Sequence, residues 1–459
     1  MKNFDAAKGF FDSFYKMSSD KKIDDEFIKE CFEKIKLLAE LQNEDYDIFS
    51  RTIKSIYSTY QDDGIAILSD YSHNNNWYKD SKKNNEIFWE RYKRHILDEG
   101  FSPNIVDVLE KKTLYDIMQY LGNPSEESDF SRYGLIIGDV QSGKTSNYIG
   151  LIAKAVDAGY RVIFLLTGTI ETLRQQTQIR VEEGFIGYDI ANSQDVGIGK
   201  GHIIPYSFTT REKDFVQNAD NNTALLNVDS SNQPYIFVIK KNVSILKRIL
   251  QAINRNIKTG HKKIYAPMLM IDDEADNASV NTKDKNTDPT ATNSNIRKII
   301  DLFNKSNYIG FTATPYANIF IDPTTDSEML KADLFPKDFI YALSAPSNYS
   351  GAKKMFVDAE NSDKHMLEII DKNQSICEEL VDIMPLIHKK EWRPSRLHLS
   401  LCEAIDRFLL VNAIRDIRDN NKNTHRSMLI NLSRFTDVQN YTAELIENYV
   451  KNAINDIGL

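Results

Sequence analysis

Through the first quarter of the chain, apolar residues recur at intervals of three and four with charged residues between them. DEFIKECFEKIKLLAEL and NIVDVLEKKTLYDIMQYLG both have this spacing, and the second ends on Gly122-Asn123-Pro124. Such a period marks amphipathic helices, and a Gly-Asn-Pro run stops one. Residues 1–125 therefore read as an all-helical domain, joined by the polar SEESDF to the next segment.

The pattern changes at Tyr133. Short, wholly apolar runs (YGLII, RVIFLLT, YIFVI, PMLMI, NYIGFT) alternate with helical ones (SNYIGLIAKAVDA, ETLRQQTQIRV, SILKRILQAIN). Short strands without an outward polar face belong to a parallel sheet covered by crossover helices on both sides. The expectation for 126–325 is an α/β domain of that kind. Within it, DNNTALLNVDSSNQ reads as a surface loop and NTKDKNTDPTATNSN as a mobile one. Residues 326–424 return to helical spacing in HMLEIIDKNQSICEELVDIM and SRLHLSLCEAIDRFLLVNAIRDI, a mostly helical connecting region. In 425–459, HRSMLINLSRFTDVQNYTAELIENYV reads as strand, loop and helix, the start of a second sheet.

Composition then narrows the classes. The 459 residues are 41% apolar, enough for two or three domains. No apolar run reaches the roughly 18 residues of a membrane span, and MKNFDAAKGF lacks a secretory pattern. Cys31, Cys377 and Cys402 lie far apart, which argues against disulfide frameworks and zinc clusters and for a reducing cytoplasm. A net charge of −9 argues against binding polyanions by bulk charge, while leaving room for a local basic groove. His202, His261 and His398 have no partners at ligand spacing, so no metal is expected beyond a nucleotide's Mg²⁺.

The candidate chemistry begins at GDVQSGKT, which fits G-x-x-x-x-G-K-[ST] between an apolar strand and a helix. Gly138 and Gly143 allow the loop to turn its N–H groups inward. Asp139, Val140, Gln141 and Ser142 fill the loop, and Ser146 opens the helix whose N-terminal dipole adds to the field. Lys144 would reach the β- and γ-phosphate oxygens, and Thr145 would ligate Mg²⁺. A second carboxylate site comes later, in MLMIDDEAD. Asp273 is assigned to the metal and Glu274 to the attacking water, although Asp272 is equally able to be the metal-facing aspartate. Hydroxyls stand at two further strand tips: Thr167 and Thr169 in LLTGTIETLRQQTQIR, Thr312 and Thr314 in GFTATPYANIF. They can couple the acidic box to the γ-phosphate or to a bound strand, and turn or cap formation accounts for the same residue types. Tyr316 and Phe320 can stack on a base or pack under the sheet.

A P-loop, a DEAD-type acidic box and a TATP box, in that order on one parallel sheet, resemble the first RecA-like domain of superfamily-two helicases. More narrowly, LEKKTLYDIMQYLGNP, GLIIGDVQSGKTSNYIGLIAKAVDAGYRVIFLLTGTIETLRQQTQ, FIGYD, TTREKDF, LFPKDFIYAL and HLSLCEAIDRFLL resemble the Z1-domain family of prokaryotic proteins. The resemblance runs from about residue 107 onward. It implies ATP with Mg²⁺, hydrolysis carried by Glu274, Lys144 and Asp273, and DNA as the track. It also implies defence against phage or plasmid DNA beside a nuclease or effector partner, with oligomers a possible form. Proteins of this kind complete the ATP site with arginines of a second RecA-like domain. Here Ser433, Arg434 and Gln439 are the candidates, and later boxes are missing. Three readings stay open: a truncated chain, one completed by a partner, or one that binds ATP and hydrolyses it slowly. An ATP-dependent switch that recruits a nuclease without translocating is the rival to a DNA motor.

Overall fold

The computed structural model describes residues 4–17, 25–57, 64–69, 73–80, 86–139, 143–256, 263–279, 290–319, 333–345, 349, 351, 381, 383–385, 387–419 and 425–457. The chain divides into two units, Met1–Gly351 and Ala352–Leu459.

In the first unit, helices α1 (Phe4–Met17), α2 (Asp25–Ile35) and α3 (Tyr46–Tyr57) close a small core around Phe11, Phe27, Phe32 and Phe49. Strand β1 (Ile65–Leu68) and helix α4 (Ile87–Asp98) come after them. Next is a helical run from α5 (Pro103–Val108) through a wide π turn (Leu109–Leu114) into α6 (Tyr115–Tyr120). The alternation then begins with β2 (Phe130–Ile137), α7 (Lys144–Ala158), β3 (Val162–Thr167) and α8 (Glu171–Val181). It continues with β4 (Tyr206–Ser207), α9 (Ala219–Asn227), β5 (Tyr235–Lys240) and α10 (Val243–Asn256). It closes with β6 (Met268–Asp273), α11 (Ala291–Asp301), β7 (Lys305–Thr312) and β8 (Phe339–Ala342).

The strands form one sheet in the order β1-β8-β2-β7-β6-β3-β5-β4, parallel except for β1, which runs antiparallel to β8. Every residue of β3 is buried. Val162, Phe164 and Leu166 join one core with Leu246 and Ile249 of α10 and Ile296 and Ile299 of α11. Ile163 and Leu165 point the other way, into a core with Trp89, Leu114, Ile149 and Ile152. A strand covered on both faces has no polar side to show, which is why these strands read as unbroken apolar runs.

Several expectations need correction. The 1–125 segment is not all-helical: Ile65–Leu68 extends the sheet as β1. Nor is it set apart, because Trp89, Leu114 and Ile117 share a core with Ile149 and Ile152 of α7. The sheet also passes the expected limit at 325, since β8 pairs with β2. Four-residue strands carry too little periodicity to announce themselves, and their partners decide them. DNNTALLNVDSSNQ contains α9 rather than a loop. The Asn218 side chain accepts from the Asn221 N–H at 2.8 Å, capping the helix, while Ala224 and Leu225 are buried. Of NTKDKNTDPTATNSN, residues 281–289 lie outside the described residues, as do Phe320 and His261. From Thr290 the stretch caps and enters α11.

The second unit holds α12 (Leu399–Asp419) and α13 (Thr436–Ile457). The strand expected in HRSMLINLS is not formed, and residues 425–433 carry no regular structure. An extended segment becomes a strand only beside a partner, and none pairs with it among the described residues. Most of HMLEIIDKNQSICEELVDIM lies outside the described residues.

One charged contact sits inside the sheet. The side chains of Lys241 and Asp272 are 0% exposed and 2.9 Å apart. Asp272 also accepts from the Tyr308 hydroxyl at 2.6 Å, and Lys241 Nζ donates to the carbonyls of Asp273 (2.8 Å) and Glu274 (2.6 Å). Removing one member strands the other in a dry interior. Lys241→Met is expected to lower the unfolding free energy by about 3–5 kcal/mol. In the pair Lys241→Met/Asp272→Asn the loss is expected to be smaller than the sum of the single losses. Urea unfolding of the three variants measures this, and additive losses would rule the coupling out.

Candidate active site

Strands β2, β3, β6 and β7 deliver their C-terminal loops to one edge of the sheet, where open α/β sheets bind ligands. The Gly138 N–H donates to the Thr312 carbonyl at 3.0 Å, tying the start of the loop after β2 to the tip of β7. Gly143 precedes α7 with φ 92° and ψ 20°, a left-handed geometry that a side chain would strain. A Cβ there would meet nothing within 4 Å, and no side chain caps the helix. The first-turn amides of α7 therefore face open space, as phosphate binding requires. Lys144 Nζ folds back over the loop and donates to the carbonyls of Gly138 (3.0 Å) and Asp139 (2.8 Å). Burial lowers its pKa, while Asp273, Asp139, Asp276 and Glu274 pull the other way. The Ser146 carbonyl accepts from the Tyr92 hydroxyl at 3.2 Å. Val140, Gln141 and Ser142 lie outside the described residues.

The acidic box divides its labour by strand parity. Asp272 is spent on Lys241 and Tyr308 in the interior, which leaves Asp273 as the aspartate that lines the cleft. The Asp273 carboxylate accepts from the Glu274 N–H at 3.1 Å. Burial, and then the neighbouring Glu274 charge, push its pKa up to about 6 against Lys241 and Lys144. Glu274 adopts φ 54°, a left-handed turn rare for a non-glycine, with its carbonyl held by Lys241. Gly168 leaves room for its carboxylate: a Cβ there would lie 2.8 Å from Glu274 Oε2 and push that side chain aside.

Asp276 collects both hydroxyls of the TATP turn, Thr312 Oγ1 at 2.7 Å and Thr314 Oγ1 at 2.6 Å. Burial alone would raise its pKa, but those hydroxyls hold it below the ordinary carboxylate range. Thr169 is exposed at the tip of its turn. Thr167 does not share that position. It is buried, and its hydroxyl donates to the Ile239 carbonyl on β5 at 3.2 Å, so it is committed to the sheet rather than to coupling. Arg174 and Gln178 of α8 are likewise buried, Arg174 donating to the carbonyls of Thr210 (2.9 Å) and Arg211 (2.8 Å).

Lys144, Thr145, Asp273, Glu274, Asp276, Thr312 and Thr314 all border a single cleft of about 1170 Å³. A hydroxyl and a carboxylate facing one cleft are the hard oxygen donors that Mg²⁺ takes, so Thr145 and Asp273 fit that ion. Two residues in or under this cleft carry no motif that would single them out from sequence. Lys241 braces the acidic turn from below, and a lysine shortly after the apolar YIFVI is its only signal. Arg180 donates from Nη1 to Thr145 Oγ1 at 3.1 Å, with no signal in motif spacing. In the second unit, Ser433 meets His388 Nε2 at 2.7 Å, Gln439 donates to the Ser433 carbonyl at 2.6 Å, and the Arg434 guanidinium lies over Phe435 at 4.9 Å.

Residues 110–317 match the family described as Type III restriction enzyme, res subunit, and residues 400–458 match the Z1 domain. No curated protein matches the chain. The crystal structure of FtsY from Mycoplasma mycoides aligns with 66% of this chain and 80% of its own, at 13% identity and a TM-score of 0.19, too slight a likeness to argue from. A restriction-type helicase segment carrying the P-loop, with a Z1 segment after it, is consistent with a Z1-domain, superfamily-two helicase-like protein.

Proposed function

We propose that the chain is an Mg²⁺-dependent ATP hydrolase driven by DNA, working beside a nuclease or effector against phage or plasmid DNA. The observation that carries the reading is the Asp276 carboxylate. It binds both hydroxyls of the TATP turn while sitting two residues from Glu274, so the hydrolytic turn and the strand-tip turn move as one piece.

The amides from Gly143 to Ser146 and the Lys144 ammonium would hold the phosphates, and Thr145 with Asp273 would hold Mg²⁺. When bound, that ion offsets the charge of the β- and γ-oxygens. The desolvated Asp273 carboxylate, pressed by Glu274, is short of positive charge, and a cation in the cleft relieves it. Glu274 orients the attacking water and accepts its proton. The family match supports the nucleic-acid side of the proposal, because a restriction enzyme acts on DNA. Tyr316, 72% exposed directly after the TATP turn, is free to stack on a base. The net charge of −9 favours the second reading, a switch that recruits an effector without moving along DNA.

Lys144→Ala is expected to abolish both fluorescent ATP binding and turnover. Glu274→Gln is expected to keep binding and to lose about 10²–10⁴-fold in turnover. A Glu274→Gln protein that hydrolyses normally would remove Glu274 from its role. Wild-type turnover is expected to rise with added DNA, and DNA binding to weaken steeply between low and physiological salt. Equal rates with and without every form of DNA would leave the switch reading in place of the motor. Thr312→Val/Thr314→Val is expected to keep basal turnover and lose the DNA response, read from the same assay.

A further inference from the structure

Arg180 stands on the last turn of α8 with its side chain in the cleft that Lys144, Asp273 and Glu274 line. Its Nη1 donates to Thr145 Oγ1 at 3.1 Å. That hydroxyl is the one the P-loop geometry offers to a metal ion. Two cations cannot share one hydroxyl oxygen at such range without strong repulsion in a half-buried cleft. Filling the cleft with a nucleotide and its ion therefore has to displace the guanidinium.

The helix beneath it does not move as easily. Arg174, earlier on the same helix, is fully buried and fixed to the carbonyls of Thr210 and Arg211. Gln178 accepts from the Thr209 hydroxyl at 2.8 Å. These contacts lock α8 to the segment after β4, so the Arg180 backbone stays at the cleft wall and only its side chain swings. Glu183, just beyond α8, also borders the cleft, but a single carboxylate competes poorly with clustered phosphate oxygens for a planar, permanently charged fork. At rest the guanidinium is held by Thr145, and the helix that carries it runs on through a π turn to Ile186.

We propose that Arg180 is the chain's own phosphate-binding arginine, parked on Thr145 and released onto the β- and γ-phosphate oxygens when a nucleotide enters. This rests on the reading of the cleft as an ATP site. It assigns to the first unit a charge that helicase-like enzymes otherwise draw from elsewhere. Because the fork stabilises charge that spreads over the transferring phosphoryl group, its effect falls on the transition state more than on the bound nucleotide.

The test uses the full chain, duplex DNA and a fluorescent ADP with Mg²⁺, titrated with and without aluminium fluoride as a mimic of the transferring phosphoryl group. Wild type is expected to bind the ADP and to tighten on adding fluoride. Arg180→Ala is expected to keep ADP affinity within about threefold, to lose the tightening, and to hydrolyse ATP at least about 10²-fold more slowly. Arg180→Lys is expected to restore neither, since an ammonium lacks the fork. Unchanged melting temperatures, expected for an exposed position, control for folding. Intact fluoride capture in Arg180→Ala, full rescue in Arg180→Lys, or no capture in wild type overturns the proposal. Failure of the nucleotide-site reading looks different: wild type then binds no fluorescent ADP at all, and the proposal falls with it.

Discussion

The ion pair between Lys241 and Asp272 is the contact on which the catalytic edge depends. A fully buried ammonium must place its protons on acceptors or lose several kcal/mol to desolvation. Lys241 donates to the Asp273 and Glu274 carbonyls and pairs its charge with the Asp272 carboxylate 2.9 Å away. One side chain from the end of β5 thereby fixes the backbone at the end of β6, and Tyr308 extends the grip to β7. With its carbonyl pinned, Glu274 can be held at φ 54°, which projects its carboxylate over Gly168 instead of along the strand. The strain of that turn is maintained by the sheet beneath it.

The electrostatics of the cleft are a consequence of this arrangement. Asp272 is neutralised inside, so Asp273 and Glu274 bring their charge to the open side with Lys144 as the nearest cation in the loop. The carboxylates of Glu99, Glu183, Asp273 and Glu274 outnumber the cations Lys144 and Arg180 on the cleft wall and leave an excess of negative charge, the condition in which a divalent ion binds well. Asp276 stays ionised, but both of its oxygens are taken by the hydroxyls of Thr312 and Thr314. It acts as a tether between two turns while Asp273 acts as a ligand.

The P-loop and the acidic box could be read from sequence because each is a short local motif framed by a buried strand. Which aspartate faces the cleft could not be read. In a strand buried on both faces parity has no polar side to anchor it, and Asp272 and Asp273 differ only in what the neighbouring elements offer. Lys241 supplies that difference from the end of a different strand. Thr167 and Thr312 look alike at strand tips, yet one meets a carbonyl inside the sheet and the other a carboxylate outside it. The short strands β1 and β8 escaped for a simpler reason: four residues are too few to establish an alternation. In α9 the few buried residues, Ala224 and Leu225 among them, stand among polar ones, so the stretch reads as a loop until the Asn218 cap is seen.

The position of Arg180 shows why a motif search cannot finish such a site. Its distance to Thr145 is set by how α8 packs, which depends on Arg174 reaching the Thr210 and Arg211 carbonyls and on Gln178 meeting Thr209. The motif residues bind by their own backbone geometry and tolerate little change in type. A positioned arginine depends instead on a helix held in register by buried polar contacts, and those contacts can be built from many sequences. The TTREKDF stretch, silent as chemistry, is then part of the site's mechanics, because its carbonyls hold the helix that carries the charge. A perturbation there would alter the cleft without touching a residue that lines it.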